Sequence, residues 1–518
     1  YQFLHKGGSV LFVNFIGGGV GSGKTRFCAD LMRRTLEKNP GDRCIMLVPD
    51  QLSYTAEKTI SELLGGTGPN GAEVMTLSRF ISRVLNPDPN CYLTPCGKQM
   101  LIYEAAAEQE KKEHCIFNGC LFREGFLEKL SELMVEMSRY CITPEILAEQ
   151  AGKVKSGMLR EKLSALSDIQ KSYQLLLDNR FLDSADDLLR LAEKISSEEL
   201  LSHTHIWFDD FSDFSPAHYA VLRAMMKHAA SLHITLCMPR DAGEDSIFCP
   251  VVKTYHKLMH IAEEEGVRVF RQWTDSANRR LQSDTLRMLQ KHWGEDFSEK
   301  KPVDAISLYQ ARDRYGEVEW LSKKILSDIQ NGLRYRDIRV ICGEEESYHH
   351  IIEAVFSDYR IPYFSDRKIP VTEHPIVVTA LSVFEIQKAN WSYESVFAYL
   401  RCGFLYTREN GEIKPFLQDD LDQLENYVLR YGIRGKKAWC SQWEQENTGV
   451  FDSVLGTQES GEDMEYLNRI RRMVTEPLME FYDAVKGRTT VRQAAEALYE
   501  FFCRIHLYEG LQKEVAQF

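Results

Sequence analysis

The chain has no apolar run that approaches the length of a membrane-crossing helix. It has no C-x-x-C pair. Its 13 cysteines are scattered, and the closest pairs, Cys91/Cys96 and Cys115/Cys120, lack a companion histidine pair at zinc-finger spacing. An odd count with no secretory leader predicts reduced thiols in a cytosol, not a disulfide framework or a cysteine-built metal site. No segment repeats at a fixed period, and none is of low complexity. Positive charge is in deficit: 63 Lys and Arg against 76 Asp and Glu leave a net charge of −13. That excludes a uniformly basic nucleic-acid coat but leaves room for a local basic groove. Four short basic clusters (Arg279-Arg280, Lys323-Lys324, Arg334/Arg336/Arg339 and Lys436-Lys437) read singly as solvated faces. The first residue is not Met and no signal-peptide pattern follows it, so both ends read as cut from a longer reading frame.

What is present is an α/β pattern with one specific motif. The 518 residues exceed one core and predict three or four domains. Gly18-Gly19-Val20-Gly21-Ser22-Gly23-Lys24-Thr25 fits G-x-x-x-x-G-K-[ST], the phosphate-cradling P-loop. It lies between a buried-strand reading at Ser9–Ile16 and a helix from Arg26. Glycines let successive N–H groups turn inward toward phosphate oxygens, and the helix N-terminus adds partial positive charge. Lys24 is expected to reach the β- and γ-phosphates of ATP, and the Thr25 hydroxyl to hold Mg²⁺. Gly18, Gly21, Ser22, Gly23, Lys24 and Thr25 are the expected nucleotide-binding set.

Further strands are read at Cys44–Pro49, Glu73–Leu77, Thr204–Phe208 and Ser231–Leu236, alternating with helices as in a parallel sheet. Residues 95–200 interrupt this pattern with apolar positions at helical spacing. A second α/β unit is predicted at 303–385, with strands Ala305–Tyr309 and Ile338–Cys342. The expected organisation is therefore 1–94 and 201–302 as a P-loop domain of RecA-like type, split by a helical insertion at 95–200. A second RecA-like domain follows at 303–385, then a truncated helical insertion at 386–518.

A P-loop ATPase needs an acid at the end of a neighbouring strand, usually followed by a second carboxylate that orients water. Ile206-Trp207-Phe208-Asp209-Asp210-Phe211 fits, with Asp209 on the Mg²⁺ side and Asp210 where a glutamate base normally stands. Aspartate is one methylene shorter, so its carboxylate falls back by about 1.5 Å. In-line attack tolerates little misplacement, so ATP binding is expected more than fast hydrolysis. Taken alone, the acid pair also reads as a helix N-terminus, since Ser212, Asp213 and Ser215 are good caps.

These features together resemble superfamily 1 helicases of the UvrD/RecB type. Asp209-Asp210-Phe211-Ser212-Asp213 stands where they read D-E-F-Q-D. Thr76-Leu77-Ser78-Arg79-Phe80 resembles their single-strand-contacting T-x-H-S-F, and Asp183–Leu188 resembles their D-F-x-D-L. Ile361-Pro362-Tyr363 resembles part of their G-I-P-Y segment. A closer likeness is to the AddB family, the B subunits of bacterial AddA–AddB helicase–nucleases. The phrases that carry it are Leu47-Val48-Pro49-Asp50-Gln51, Arg139-Tyr140-Cys141, His374-Pro375, Asn390-Trp391-Ser392-Tyr393-Glu394, Asp422–Tyr427 and Tyr431-Gly432-Ile433.

The likeness implies a cytoplasmic, nucleoid-associated bacterial protein with no membrane contact. It implies an AddA-type helicase–nuclease partner, and double-strand DNA ends and single-stranded DNA as substrates for recombinational repair. Thr76, Ser78 and Arg79 would be DNA contacts; Thr76 reads equally well as a helix cap. A C-terminal nuclease with an iron–sulfur cluster is also implied, but nothing in these residues matches its carboxylate–lysine motif or late cysteine cluster. Late arginine-bearing helicase motifs are absent too, and Gly19-Val20 replaces the usual Arg-Ala of the loop. Two other readings stay open: a self-sufficient superfamily 1 translocase, and a P-loop protein unrelated to DNA.

Overall fold

The computed structural model describes residues 11–50, 53–63, 71–111, 116–120, 123, 125–177, 180–274, 283–293, 305–365, 371–409, 411–444, 461–487 and 490–515. Ser9, Val10, Gln51, Cys115 and the pair Arg279-Arg280 lie outside them. The chain divides into two compact units, Tyr1–Tyr309 and Gln310–Phe518.

In the first unit, β1 (Phe12–Gly18) leads through α1 (Lys24–Lys38) to β2 (Arg43–Val48), then through α2 (Ser53–Leu63) to β3 (Ala72–Thr76) and α3 (Leu77–Leu85). Four helices follow: α4 (Pro95–Glu110), α5 (Phe126–Arg139), α6 (Pro144–Lys153) and α7 (Gly157–Leu177). The chain returns through α8 (Asp187–Ser197) to β4 (Thr204–Phe208), α9 (Pro216–His228), β5 (Ser231–Cys237), α10 (Cys249–Glu264), β6 (Arg268–Trp273) and α11 (Asp284–Lys291). The six strands form one parallel sheet in the order β3-β2-β4-β5-β1-β6. A parallel sheet is covered on both faces, so its inner strands read as apolar runs. β1 and β2 do so, and α1 meets them with Cys28, Ala29, Met32 and Leu36 at helical spacing.

Helices α4 to α7 have their own core, including Ile102, Leu130, Met134, Met137, Ile169 and Tyr173. Helix α8, read from sequence with the insertion, instead buries Leu191 and Ile195 in the core of the sheet. The D-F-x-D-L-like stretch joins these two bodies. Asp183 accepts from Lys98 Nζ at 2.6 Å and Tyr173 Oη at 2.8 Å, and Asp187 accepts from Tyr92 Oη at 2.9 Å.

One face of the sheet carries a row of polar side chains. Asp42, His205, Ser231, His233 and Asn14 are linked in sequence by contacts of 3.2, 2.6, 2.9 and 3.2 Å. Trp207 stacks on His233 with ring centroids 4.5 Å apart. Burial pushes both imidazoles down, that of His233 to about 3.

The second unit begins with α12 (Arg314–Gln330) and α13 (Glu345–Asp358), packed through Val318, Ile325, Val355 and Phe356. It continues with α14 (Pro375–Lys388), α15 (Tyr393–Leu400) and a hairpin of β7 (Tyr406–Glu409) and β8 (Glu412–Pro415). Then come α16 (Gln418–Tyr431), α17 (Gly435–Cys440), α18 (Gly461–Ala484), α19 (Val491–Arg504) and α20 (Leu507–Val515), around an aromatic core that includes Trp391, Phe397 and Trp439. The predicted strands Ala305–Tyr309 and Ile338–Cys342 are not strands here. Leu308 is 99% and Ile341 88% exposed. An apolar run becomes a strand only when a neighbouring strand takes its backbone hydrogen bonds, and neither segment joins a sheet among the described residues. No described helix is long and apolar enough to cross a membrane.

Candidate nucleotide-binding site

The strand β1 runs two residues further than the apolar run predicts, so Gly18, the first residue of the motif, is the last residue of the strand. The chain then turns through Gly21 at φ 71° and Gly23 at φ 88°. Both angles lie in the left-handed region, which a side chain disfavours, so these two glycines are set by the turn itself. Gly23 caps α1, so the first N–H groups of that helix open toward the loop. Lys24 Nζ donates to the carbonyls of Gly18 and Gly19, both at 2.9 Å. This holds its ammonium group over the loop that would cradle phosphates.

The strand order brings the acids close. β4 is separated from β1 only by β5, and Asp209 follows its last residue. Thr25 Oγ1 donates to Asp209 Oδ2 at 2.8 Å, and Asp209 is only 5% exposed. Its N–H donates to Leu47 O at 3.0 Å, tying it to β2. Thr25 and Asp209 thus join a hydroxyl and a carboxylate, the hard-oxygen donors that Mg²⁺ takes. Asp210 is exposed, with its backbone left-handed at φ 65°. Behind the loop, burial pushes the Cys28 thiol well up, reinforced by Asp209 and opposed by Lys24.

Sequence reasoning missed Thr235. Its Oγ1 donates to Asp209 Oδ1 at 2.7 Å and accepts from the Asp210 N–H at 3.2 Å. It is buried in β5 and fixes both acids at once. The signal was present: Ser231, His233 and Thr235 alternate within an otherwise apolar strand, so they share a face.

Thr76, Ser78 and Arg79 lie at the end of β3 and the start of α3, at the same carboxyl-terminal edge of the sheet as the P-loop. Four strand spacings separate β3 from β1, about 19 Å. Thr76 is buried and caps α3 by accepting from the Arg79 N–H at 3.2 Å. Ser78 Oγ donates to Asp50 Oδ2 at 3.2 Å, and Arg79 is exposed. In the other unit, His349, His350 and Glu353 on α13 bring metal-compatible atoms within 4.8 Å of one another, with two of the three exposed.

A family model described as "ADDB, N-terminal" matches residues 15–290. Among curated relatives, the B subunit of the ATP-dependent helicase/deoxyribonuclease of Clostridium novyi (strain NT) is 33% identical over 516 residues, covering 97% of this chain and 43% of the relative. The protein of the same name from Clostridium tetani (strain Massachusetts / E88) is 32% identical over 531 residues, covering 98% and 45%. That from Thermoanaerobacter pseudethanolicus (strain ATCC 33223 / 39E) is 33% identical over 523 residues, covering 98% and 44%. The chain therefore spans less than half the length of the curated relatives it matches. With a matched region that contains the P-loop, nearly all of the sheet and the acid pair, the chain belongs to the AddB N-terminal family.

Proposed function

We propose that this chain is the ATP-binding, DNA-handling helicase-like part of a protein that works with an AddA-type partner on double-strand DNA ends during recombinational repair. The observation that carries the nucleotide reading is the Thr25–Asp209 hydrogen bond beside a lysine already curled over its loop. Gly18, Gly21, Ser22, Gly23 and Lys24 would bind the phosphates of ATP, and Thr25 with Asp209 would hold Mg²⁺. The bound ion would neutralise phosphate charge; the protein's part is to place donors and limit movement of the loop.

Asp210 is one methylene shorter than the usual base, and its backbone is constrained by Thr235. This supports ATP as a bound ligand that is turned over slowly, a conformational signal more than a fuel. Residues 303–385 are assigned to a second RecA-like domain and 386–518 to its helical insertion, on the likeness to superfamily 1 helicases. Arg79, exposed beyond β3, is the leading contact for single-stranded DNA, with Thr76 and Ser78 shaping the turn beneath it. The deoxyribonuclease activity named for the relatives is assigned to the part of them that this chain does not cover. A cytoplasmic location follows from that role.

The test is direct binding of fluorescent ATP and of a single-stranded oligonucleotide to the 518-residue chain. ATP binding that needs Lys24, with DNA affinity that falls as salt rises, supports the reading. Fast DNA-stimulated hydrolysis by this chain alone would replace it with a self-sufficient translocase. Absence of DNA affinity at every salt concentration would replace it with a P-loop protein unrelated to DNA.

A further inference from the structure

The P-loop is gripped from outside by a segment that no motif marks. At the end of β6, the Trp273 ring lies across Gly17 so closely that a Cβ there would stand 2.2 Å from a ring carbon. The Thr274 N–H donates to Gly17 O at 2.9 Å. Thr274 Oγ1 lies 2.8 Å from Ser22 Oγ, inside the motif. A Cβ on Gly18 would meet the same two hydroxyls at 2.2 and 2.4 Å. Further on, α11 lays Gln290 against the top of the loop, where its Nε2 donates to Val20 O at 2.9 Å. A Cβ on Gly19 would come within 3.3 Å of that nitrogen. Contacts therefore reach Gly17, Gly18, Gly19, Val20 and Ser22 from one stretch far later in the chain, at separations of 252 positions for Ser22–Thr274 and 270 for Val20–Gln290.

A Gly-rich loop is floppy by itself, and ordering it costs conformational entropy that must be met when ligand binds or beforehand. Side chains that hold the loop in its curled form meet that cost in advance. We infer that Thr274 and Gln290 are positioning residues which hold the P-loop ready for a nucleoside triphosphate, and that α11 in turn responds to its occupancy. The second half follows from the first by linkage. If the clasp raises affinity for nucleotide, nucleotide must stabilise the clasp by the same factor. The site thereby gains an outward reporter: occupancy of the loop changes the order of a surface helix. This rests on the nucleotide reading proposed above.

The experiment combines equilibrium ATP·Mg²⁺ binding with amide hydrogen exchange on the 518-residue chain. Thr274→Val is expected to weaken ATP binding about ten-fold, through loss of the hydroxyl that bridges Ser22 Oγ at 2.8 Å and Gly17 O at 3.2 Å. Thr274→Ser, which keeps the hydroxyl, should restore it to within about two-fold of the unaltered chain. Saturating ATP·Mg²⁺ should slow exchange across residues 283–293, and Gln290→Ala should remove that protection while leaving exchange in α9 unchanged. Unchanged affinity in Thr274→Val, or unchanged exchange in α11 at saturation, overturns the clasp alone. No binding of ATP by the unaltered chain overturns the nucleotide reading, and the clasp falls with it.

Discussion

Thr25 and Asp209 lie 184 positions apart and share a hydrogen bond of 2.8 Å. Between them the chain builds β2 and β3, and then a helical body with its own core that stands outside the sheet without disturbing that contact. Parallel strands make this possible at low cost: a crossover can be lengthened with little added entropy loss if it starts and ends at fixed strand ends. The helical body can therefore vary in length while the Thr25–Asp209 contact stays put.

Lys24→Ala should reduce ATP affinity at least ~100-fold, about 2.7 kcal/mol. Its ammonium group is held by loop carbonyls, with no salt bridge to an acid among the described residues, so the fold should survive. Isothermal titration gives the affinity, and circular dichroism with a denaturant midpoint gives the fold. Equal affinity in both proteins would remove the P-loop from the functional account.

Thr235→Val should damage the site without touching any predicted ligand. It leaves Asp209 Oδ1 and the Asp210 N–H without their shared hydroxyl in a buried position, a cost of about 1–3 kcal/mol. The effect should appear as a higher Mg²⁺ requirement for ATP binding, with ATP affinity in the absence of Mg²⁺ unchanged. Asp209→Asn should raise the Mg²⁺ requirement further. A Thr235→Val protein with an unaltered Mg²⁺ titration would show that Asp209 needs no such support.

The polar row on the sheet predicts acid lability. His233 is enclosed by Trp207, Phe12, Ser231 and Asn14, and burial holds its imidazole at about 3, well below the ordinary 6.5. Its folded-state pKa is depressed, so in the window from about 6.5 down to 3 the unfolded chain takes a proton that the folded chain refuses. Stability is full above pH 6.5 and falls as pH drops through that window, by up to about 1.4 kcal/mol per pH unit from this group. His205, also pushed down by burial, adds to the slope in the same direction. Urea midpoints between about pH 4.5 and 7.5 measure it. His233→Gln should flatten the slope while lowering stability at neutral pH, because the stack on Trp207 is lost; an unchanged slope would place the acid-sensitive group elsewhere.

Lys98→Met should be among the most damaging single changes in the helical body. Lys98 and Asp183 are both buried and 2.6 Å apart. Burial opposes the Asp183 charge, but Lys98, the Ala185 N–H and Tyr173 together hold its carboxyl below the usual range. Removing the lysine strands that carboxylate, typically at a cost of about 3–5 kcal/mol. Lys98→Met combined with Asp183→Asn should recover much of the loss, and thermal unfolding of the four proteins completes the cycle.

The sequence by itself determined the P-loop, the apolar strands around it, and the acids at the end of the fourth strand. Those signals are local. A φ above zero demands glycine at Gly21 and Gly23, a doubly covered strand demands an apolar run, and acids directly after such a run are read off as the end of the strand. Strand order, and with it the pairing of Thr25 with Asp209, was decided only by the tertiary structure, because neighbours in a sheet are chosen by packing over the whole unit. The same holds for Thr235, Thr274 and Gln290, whose roles consist of what they touch. It also explains Ile338–Cys342 and Ala305–Tyr309, where β-branched and apolar residues promise strands that the described residues do not pair. Side-chain pattern sets the readiness of a segment to be a strand, but the hydrogen bonds that make it one belong to two segments at once.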